Sequence, residues 1–188
     1  MDRSNHYEAA FEAYLQWHRY CYVAVDETRR AMLGETRVKS LDFIVYGEHC
    51  SRLLADVKGR RYPGGKEGRR RRVWESWSDR EDIDGLTRWA ELFGPDYQPI
   101  LVFAYHILPE AGVPEDAEDL WTWRGQRYLL RAVAVDDYSQ HMRVRSPRWD
   151  TVWLPSPIFR EVLRPLHHFT RGNSSMAVDS TLSVSGEW

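Results

Sequence analysis

Leu53-Leu54-Ala55-Asp56-Val57-Lys58 is an apolar run of strand length that closes on Gly59 and carries two opposite charges near its end. Just upstream, Ser40-Leu41-Asp42-Phe43-Ile44-Val45-Tyr46 is rich in β-branched and aromatic residues and closes on Gly47. Both have the length and the glycine punctuation of strands. Alternation along a strand puts Asp56 and Lys58 on one face, and Asp42 joins them if the two strands pair. Burying an isolated charge costs several kcal/mol unless it is paired or holds an ion. A run this apolar therefore needs a reason for its charges, and a bound divalent cation supplies one.

The neighbouring segments complete an alternating pattern. Tyr7, Phe11, Tyr14, Leu15 and His18 recur at helical spacing, with Ser4 or Asn5 as the cap and Glu8 and Glu12 on one flank of the apolar face. Residues 21–25 form a short apolar strand. Ile83, Leu86, Trp89, Ala90 and Phe93 mark a second helix over 79–93, capped by Ser78 or Asp79 and stopped by Gly94-Pro95. A buried strand follows at 98–105. The order α-β-β-β-α-β predicts an α/β (α+β) fold with a mixed sheet covered by helices.

Further on, 120–123 and 127–135 flank Arg124-Gly125-Gln126 as a β-hairpin. A short helix runs from Asp136 to Met142, a strand covers 152–154, and another helix covers 156–163. The expected organisation is one domain over 1–168, with its core at 6–106 and a C-terminal hairpin and helix extension at 120–168. The residues from 169 to 188 turn to Ser, Gly, Asn and small side chains without periodicity and are expected to be a disordered tail.

Composition narrows the classes. With 188 residues, 43% hydrophobic and a formal net charge of −2, the chain can bury a proper core. Tryptophan is abundant, and Trp121, Trp123, Trp149 and Trp153 imply tight packing in the second half. Cys21 and Cys50 are the only cysteines, which suits a reduced interior compartment. The opening Met1-Asp2-Arg3-Ser4-Asn5-His6 has no apolar signal run, and no apolar stretch is long enough to cross a bilayer. A cytoplasmic protein with no membrane partner is the expectation. Glycine-rich nucleotide loops and serine elbows are absent.

Charge is distributed unevenly. Lys58, Arg60, Arg61, Lys66, Arg69, Arg70, Arg71 and Arg72 face only Glu67 within their segment. Such a local basic stretch points to a polyanion, and Arg60, Arg61, Lys66 and Arg69 to Arg72 are the expected nucleic-acid contacts, with DNA as the partner. The competing reading is a solvated loop.

Two aspartates, the Val57 backbone carbonyl and Glu8 would form an oxygen-rich site for Mg²⁺ or Mn²⁺. The cation would polarise a phosphodiester oxygen and acidify its bound water, while Lys58 orients the attacking water or stabilises charge in the transition state. Glu8, Asp42, Asp56 and Lys58 are thus the candidate catalytic residues, and Asp42, Asp56, Val57 and Glu8 the candidate ligands. Against this stand blander readings: a strand-end ion pair for Asp56 and Lys58, a turn-capping role for Asp42, and a surface helix acid for Glu8. His6 near the site could carry protons or simply cap and pack, and the adjacent His167-His168 point in different directions from a helix.

Asp42 followed by Asp56-Val57-Lys58, each on its own strand, resembles the PD-(D/E)XK nuclease superfamily over about residues 6–106. The resemblance implies a restriction-endonuclease-like core, with Asp42 as the first acid, Asp56 in the D/E place and Lys58 as the lysine. It also aligns Glu8 with the first-helix acid of archaeal Holliday-junction resolvases. Leu41 stands where the name motif has proline. A closer similarity is to the HYExAFE family of planctomycete-type bacterial proteins, read here as His6-Tyr7-Glu8-Ala9-Ala10-Phe11-Glu12. It continues through Lys39-Ser40-Leu41-Asp42-Phe43, Asp56-Val57-Lys58-Gly59-Arg60, Asp84-Gly85-Leu86 and His141-Met142-Arg143-Val144-Arg145-Ser146. That family implies a lineage and supplies no substrate.

The expected function is a Mg²⁺-dependent deoxyribonuclease acting on branched, nicked or single-stranded DNA. The alternatives are a nuclease-fold protein that binds nucleic acid without cutting, and a scaffold whose aromatic second half makes a homodimer interface.

Overall fold

The computed structural model describes residues 5–25, 31–33, 36–62, 74–109, 111, 117 and 119–171. The first helix, α1 (His6–Trp17), starts where Asn5 caps it, the Asn5 side chain accepting from the Tyr7 amide at 3.1 Å. Ala10, Phe11, Tyr14 and Leu15 form its buried stripe. The strand β1 (Cys21–Ala24) follows, then a small hairpin of β2 (Ala31–Leu33) and β3 (Thr36–Val38), then β4 (Phe43–Tyr46) and β5 (Arg52–Arg61). A two-residue strand, β6 (Ser78–Asp79), leads into α2 (Arg80–Phe93), and β7 (Gln98–Ile107) completes the core. The α-β-β-β-α-β order expected from periodicity is present, with β2, β3 and β6 inserted.

The end of β5 differs from the sequence reading. The strand does not stop at Gly59 but runs on through Arg61. Gly59 is glycine because a Cβ there would collide with the Tyr7 ring, so the residue lets α1 lie close across the strand. Parallel pairing with β7 carries the register to Arg61 opposite His106. Pairing, rather than local glycine content, sets the end of this strand.

The second half contributes β8 (Leu120–Trp123), β9 (Gln126–Ala134), α3 (Val135–His141), β10 (Arg143–Ser146), β11 (Thr151–Trp153), α4 (Ser156–Val162), β12 (Arg164–Pro165) and α5 (Leu166–Thr170). One mixed sheet runs in the order β1-β4-β5-β7-β9-β12, with β8 also on β9. Only β5 and β7 are parallel in it, and α2 provides their crossover. A second sheet joins β10, β11 and β6.

Alternation gives the main sheet two apolar faces. Leu53, Ala55, Val57, Ile100 and Val102 pack on one side with α1 and α5, while Leu54, Leu101, Phe103 and Tyr105 pack on the other with α2, α3 and α4. Each buried Leu, Ile, Val or Phe among them contributes about 1.5–3 kcal/mol. Phe169 and Thr170, assigned to the tail by composition, instead belong to α5 and are buried; Ser51 Oγ donates to the Phe169 carbonyl at 2.7 Å. The rest of the expected tail, 172–188, lies outside the described residues. Trp149 also departs from expectation, being 69% exposed rather than packed. Cys21 and Cys50 are exposed free thiols, and no helix among the described residues is long and apolar enough to cross a membrane.

Gly59→Ala should displace Tyr7 and cost about 1–3 kcal/mol, as overpacking of a filled site does. A urea titration showing an unchanged midpoint would contradict the close approach of α1.

Candidate active site

Asp42 stands one residue before β4, where β4 and β5 begin to separate. Its amide donates to the Ala55 carbonyl at 3.0 Å and its carbonyl accepts from Val25 N at 2.9 Å, which ties it into both neighbours. Its side chain then does what a further β4 residue would have done, with Oδ2 accepting from the Val57 amide at 2.6 Å. Bond lengths put this oxygen within about 5.5 Å of the Asp56 Cα. In an extended strand the N–H and C=O of one residue point to the same edge, so the Val57 carbonyl faces the Asp42 side too. The structure thus places the Asp42 carboxylate against the backbone of Asp56 and Val57, inside the sheet where β4 and β5 part.

Asp56 and Lys58 project to the α2 face, as alternation requires. The Lys58 Nζ lies 2.6 Å from Asp56 Oδ2 and 2.7 Å from Asp82 Oδ2. Asp82 also pairs with the Lys39 ammonium and accepts from Ser78 Oγ at 2.8 Å and the Asp79 amide at 3.0 Å. Sequence reading missed both Asp82 and Lys39. Asp82 is the third residue of α2 and the far half of its capping box with Asp79, a pattern visible as Asp-x-x-Asp before the apolar stripe. Its contact with β5 is not local and left no trace in spacing. Gly85 helps make that contact, because a Cβ there would press on the Lys39 carbonyl at 3.2 Å, and Trp89 Nε1 donates to the same carbonyl at 2.9 Å.

Burial dominates the electrostatics, and the pairs decide its outcome. Burial pushes the Asp56 carboxyl above the usual aspartate range, against the pull of Lys58. Burial also opposes charge on Asp82, yet Lys58 and Lys39 together hold it below that range. Lys58 is raised despite its own burial, because Asp56 and Asp82 both favour the ammonium. It stays charged at any ordinary pH. Asp56 Oδ2, though close to Lys58, makes no hydrogen bond of good geometry and is fully shielded from solvent.

Two carboxylates and a backbone carbonyl are the oxygen donors that a hard divalent cation takes, and one of those carboxylate oxygens, Asp56 Oδ2, is ion-paired with Lys58. Among the described residues, no three His, Cys, Asp or Glu side chains stand close enough to hold a metal between them. Glu8 comes from α1, while Asp42 and Asp56 come from the sheet. It sits half-buried in the first turn of α1, which packs on the face opposite α2, and the Asn5 side-chain amide donates to its Oε1.

The basic segment divides. Arg60, expected at the nucleic-acid surface, is instead 7% exposed. Its guanidinium donates to the Gly59 carbonyl at 2.7 Å and to the Trp77 carbonyl, and lies 3.9 Å over the Trp77 ring. The alternation of 56, 58 and 60 predicts this inward face once β5 is allowed to continue. Arg61 is exposed on the other face. Lys66, Arg69, Arg70, Arg71 and Arg72 lie outside the described residues. His6 Nδ1 is 2.9 Å from the Tyr128 hydroxyl, a packing contact on the α1 side, and His167 Nδ1 meets Asp119 Oδ1 at 2.8 Å.

No protein-family model matches this sequence, and no curated protein matches it significantly.

Asp82→Ala leaves two lysines facing one fewer carboxylate and removes half of a capping box, so it should cost about 3–5 kcal/mol in chemical denaturation. Because the folded pKa of Asp82 is depressed, its contribution is present above the ordinary aspartate pKa and lost as pH falls through the lower folded value. Acid unfolding of Asp82→Asn should therefore begin from a lower stability and fall less steeply in that window. Identical slopes for both proteins would contradict the assignment.

Proposed function

We propose that this chain is a metal-dependent nuclease of the PD-(D/E)XK type that hydrolyses DNA phosphodiester bonds. The observation that carries the reading is the Asp42 carboxylate bonded to the amide between Asp56 and Lys58, at the point where β4 and β5 part. Supporting it are the parallel β5–β7 pair with its α2 crossover, and Asp56 and Lys58 on β5.

Asp42, Asp56 and the Val57 carbonyl would hold the cation; Glu8, the further expected ligand, is carried by α1. A bound Mg²⁺ or Mn²⁺ supplies Lewis acidity and charge neutralisation at the scissile phosphate. Lys58 keeps its proton and presents an ammonium to the charge that develops on the phosphate oxygens. Asp82 holds Lys58 in position from the α2 side, so it is a positioning residue. Asp56 must be ionised to bind a cation, and its raised pKa makes metal affinity climb with pH across that titration.

A second reading is favoured by one observation: Lys58 already has two carboxylate partners, so the charges are compensated without a cation. On it, the protein grips nucleic acid without cutting. Calorimetry separates the two, since no uptake of Mg²⁺ or Mn²⁺ at millimolar concentration favours the binder.

Purified protein should cut nicked, branched or single-stranded DNA only with Mg²⁺ or Mn²⁺. Lys58→Ala should lower the rate by about 10²–10³, the usual effect of removing one transition-state donor. Asp42→Asn and Asp56→Asn should abolish cleavage. Cleavage that survives either aspartate change, or that is undiminished in Lys58→Ala, would refute the site.

A further inference from the structure

The hairpin of β10 and β11 presents side chains that the proposed active site leaves unused. Trp149 stands at its tip, 69% exposed, with the Arg148 guanidinium 5.2 Å over its ring. Arg143 and Arg145 lie on one face of β10, both exposed, and Val144 between them is 56% exposed. Among the described residues none of Arg143, Arg145 and Arg148 pairs with a carboxylate. The nearest acid in the turn, Asp150, is engaged by Arg80, with Nε 3.3 Å from Oδ1. An exposed indole with an arginine over its face and two more exposed arginines nearby forms a mixed cationic and aromatic surface rather than part of the core.

The tip is held rigidly. Asp150 takes a left-handed backbone conformation (φ 43°), and its carbonyl accepts from the Arg80 amide at 2.9 Å. Arg80 opens α2, two residues before Asp82. From the other side, Arg145 lies 4.8 Å over the Trp77 ring that also carries Arg60. Arg60 is two residues beyond Lys58, so the hairpin is pinned to both elements that build the charged site.

We infer that this hairpin docks unpaired DNA beside the site, Trp149 stacking on an exposed base while Arg143, Arg145 and Arg148 take flanking phosphates. Charge selects the occupant: three arginines with no carboxylate partner among the described residues, set around an exposed aromatic ring, suit a polyanion whose bases offer π faces. Pairing state follows from the ring, since a base inside a duplex has no free face for an indole to cover. The inference rests on the nucleic-acid reading above, and it does not require cleavage.

Binding of a fluorescent mixed-sequence oligodeoxynucleotide, single-stranded or annealed, is measured by anisotropy without divalent ions, so a cleavage failure leaves the result interpretable. Trp149→Ala should weaken single-strand binding at least about fivefold, the lower range for losing one stacked base, and duplex binding much less. Trp149→Phe should restore most of the loss. Each arginine-to-alanine change should flatten the salt dependence on single strands by about 0.7 in log–log slope. Equal losses on both DNAs would overturn the unpaired-base assignment. Unchanged single-strand affinity in Trp149→Ala, with a native circular dichroism spectrum, would overturn the docking role. So would a wild-type protein that binds neither DNA.

Discussion

An ammonium shared by two carboxylates ties this fold together at its chemical centre. Lys58 comes from the strand that forms the middle of the sheet, Asp56 from the same strand, and Asp82 from the first turn of the helix that crosses over it. In a dry interior each of these charges alone would be strongly unfavourable, and their mutual geometry removes most of that cost. The arrangement forces α2 to begin where it does, since the capping box of that helix and the ion pair of the strand use the same carboxylate. Whatever docks on the β6 end of α2 is therefore registered against Lys58.

The same constraint explains the division of labour between the two aspartates near the strand edge. Asp42 is satisfied by a backbone amide and extends the ladder beyond the end of β4. Asp56 is left with a buried oxygen that Lys58 approaches without a good hydrogen bond. A carboxylate raised by burial and only partly compensated is a poor choice for stability and a useful one for capturing a cation or a proton. That imbalance sets Asp56 apart from Asp82, which is fully bonded.

Much of this was legible in the residues. The period-two placement of Asp56 and Lys58, the helical stripe of α1 and the capped start of α2 are local patterns, and the structure carries them. Arg60 shows where local punctuation misleads: Gly59 reads as a strand stop, but it is there to admit the Tyr7 ring, and pairing with β7 carries the strand onward. Asp82 and Lys39 were hidden for a different reason. Their partner is remote in sequence, and no spacing rule links a helix's third residue to a lysine two dozen positions earlier. Composition alone predicts packing for Trp149, whereas its place in the turn between β10 and β11 leaves it exposed.

The most direct test of the central claim is Mn²⁺ titration followed by amide NMR, in which the paramagnetic ion broadens nearby backbone signals. Val57, Asp56 and Asp42 should broaden first, and Asp56→Asn should abolish the effect. Broadening that begins at the exposed acids Asp136 and Asp137 of α3, or that spares Val57 throughout, would contradict it.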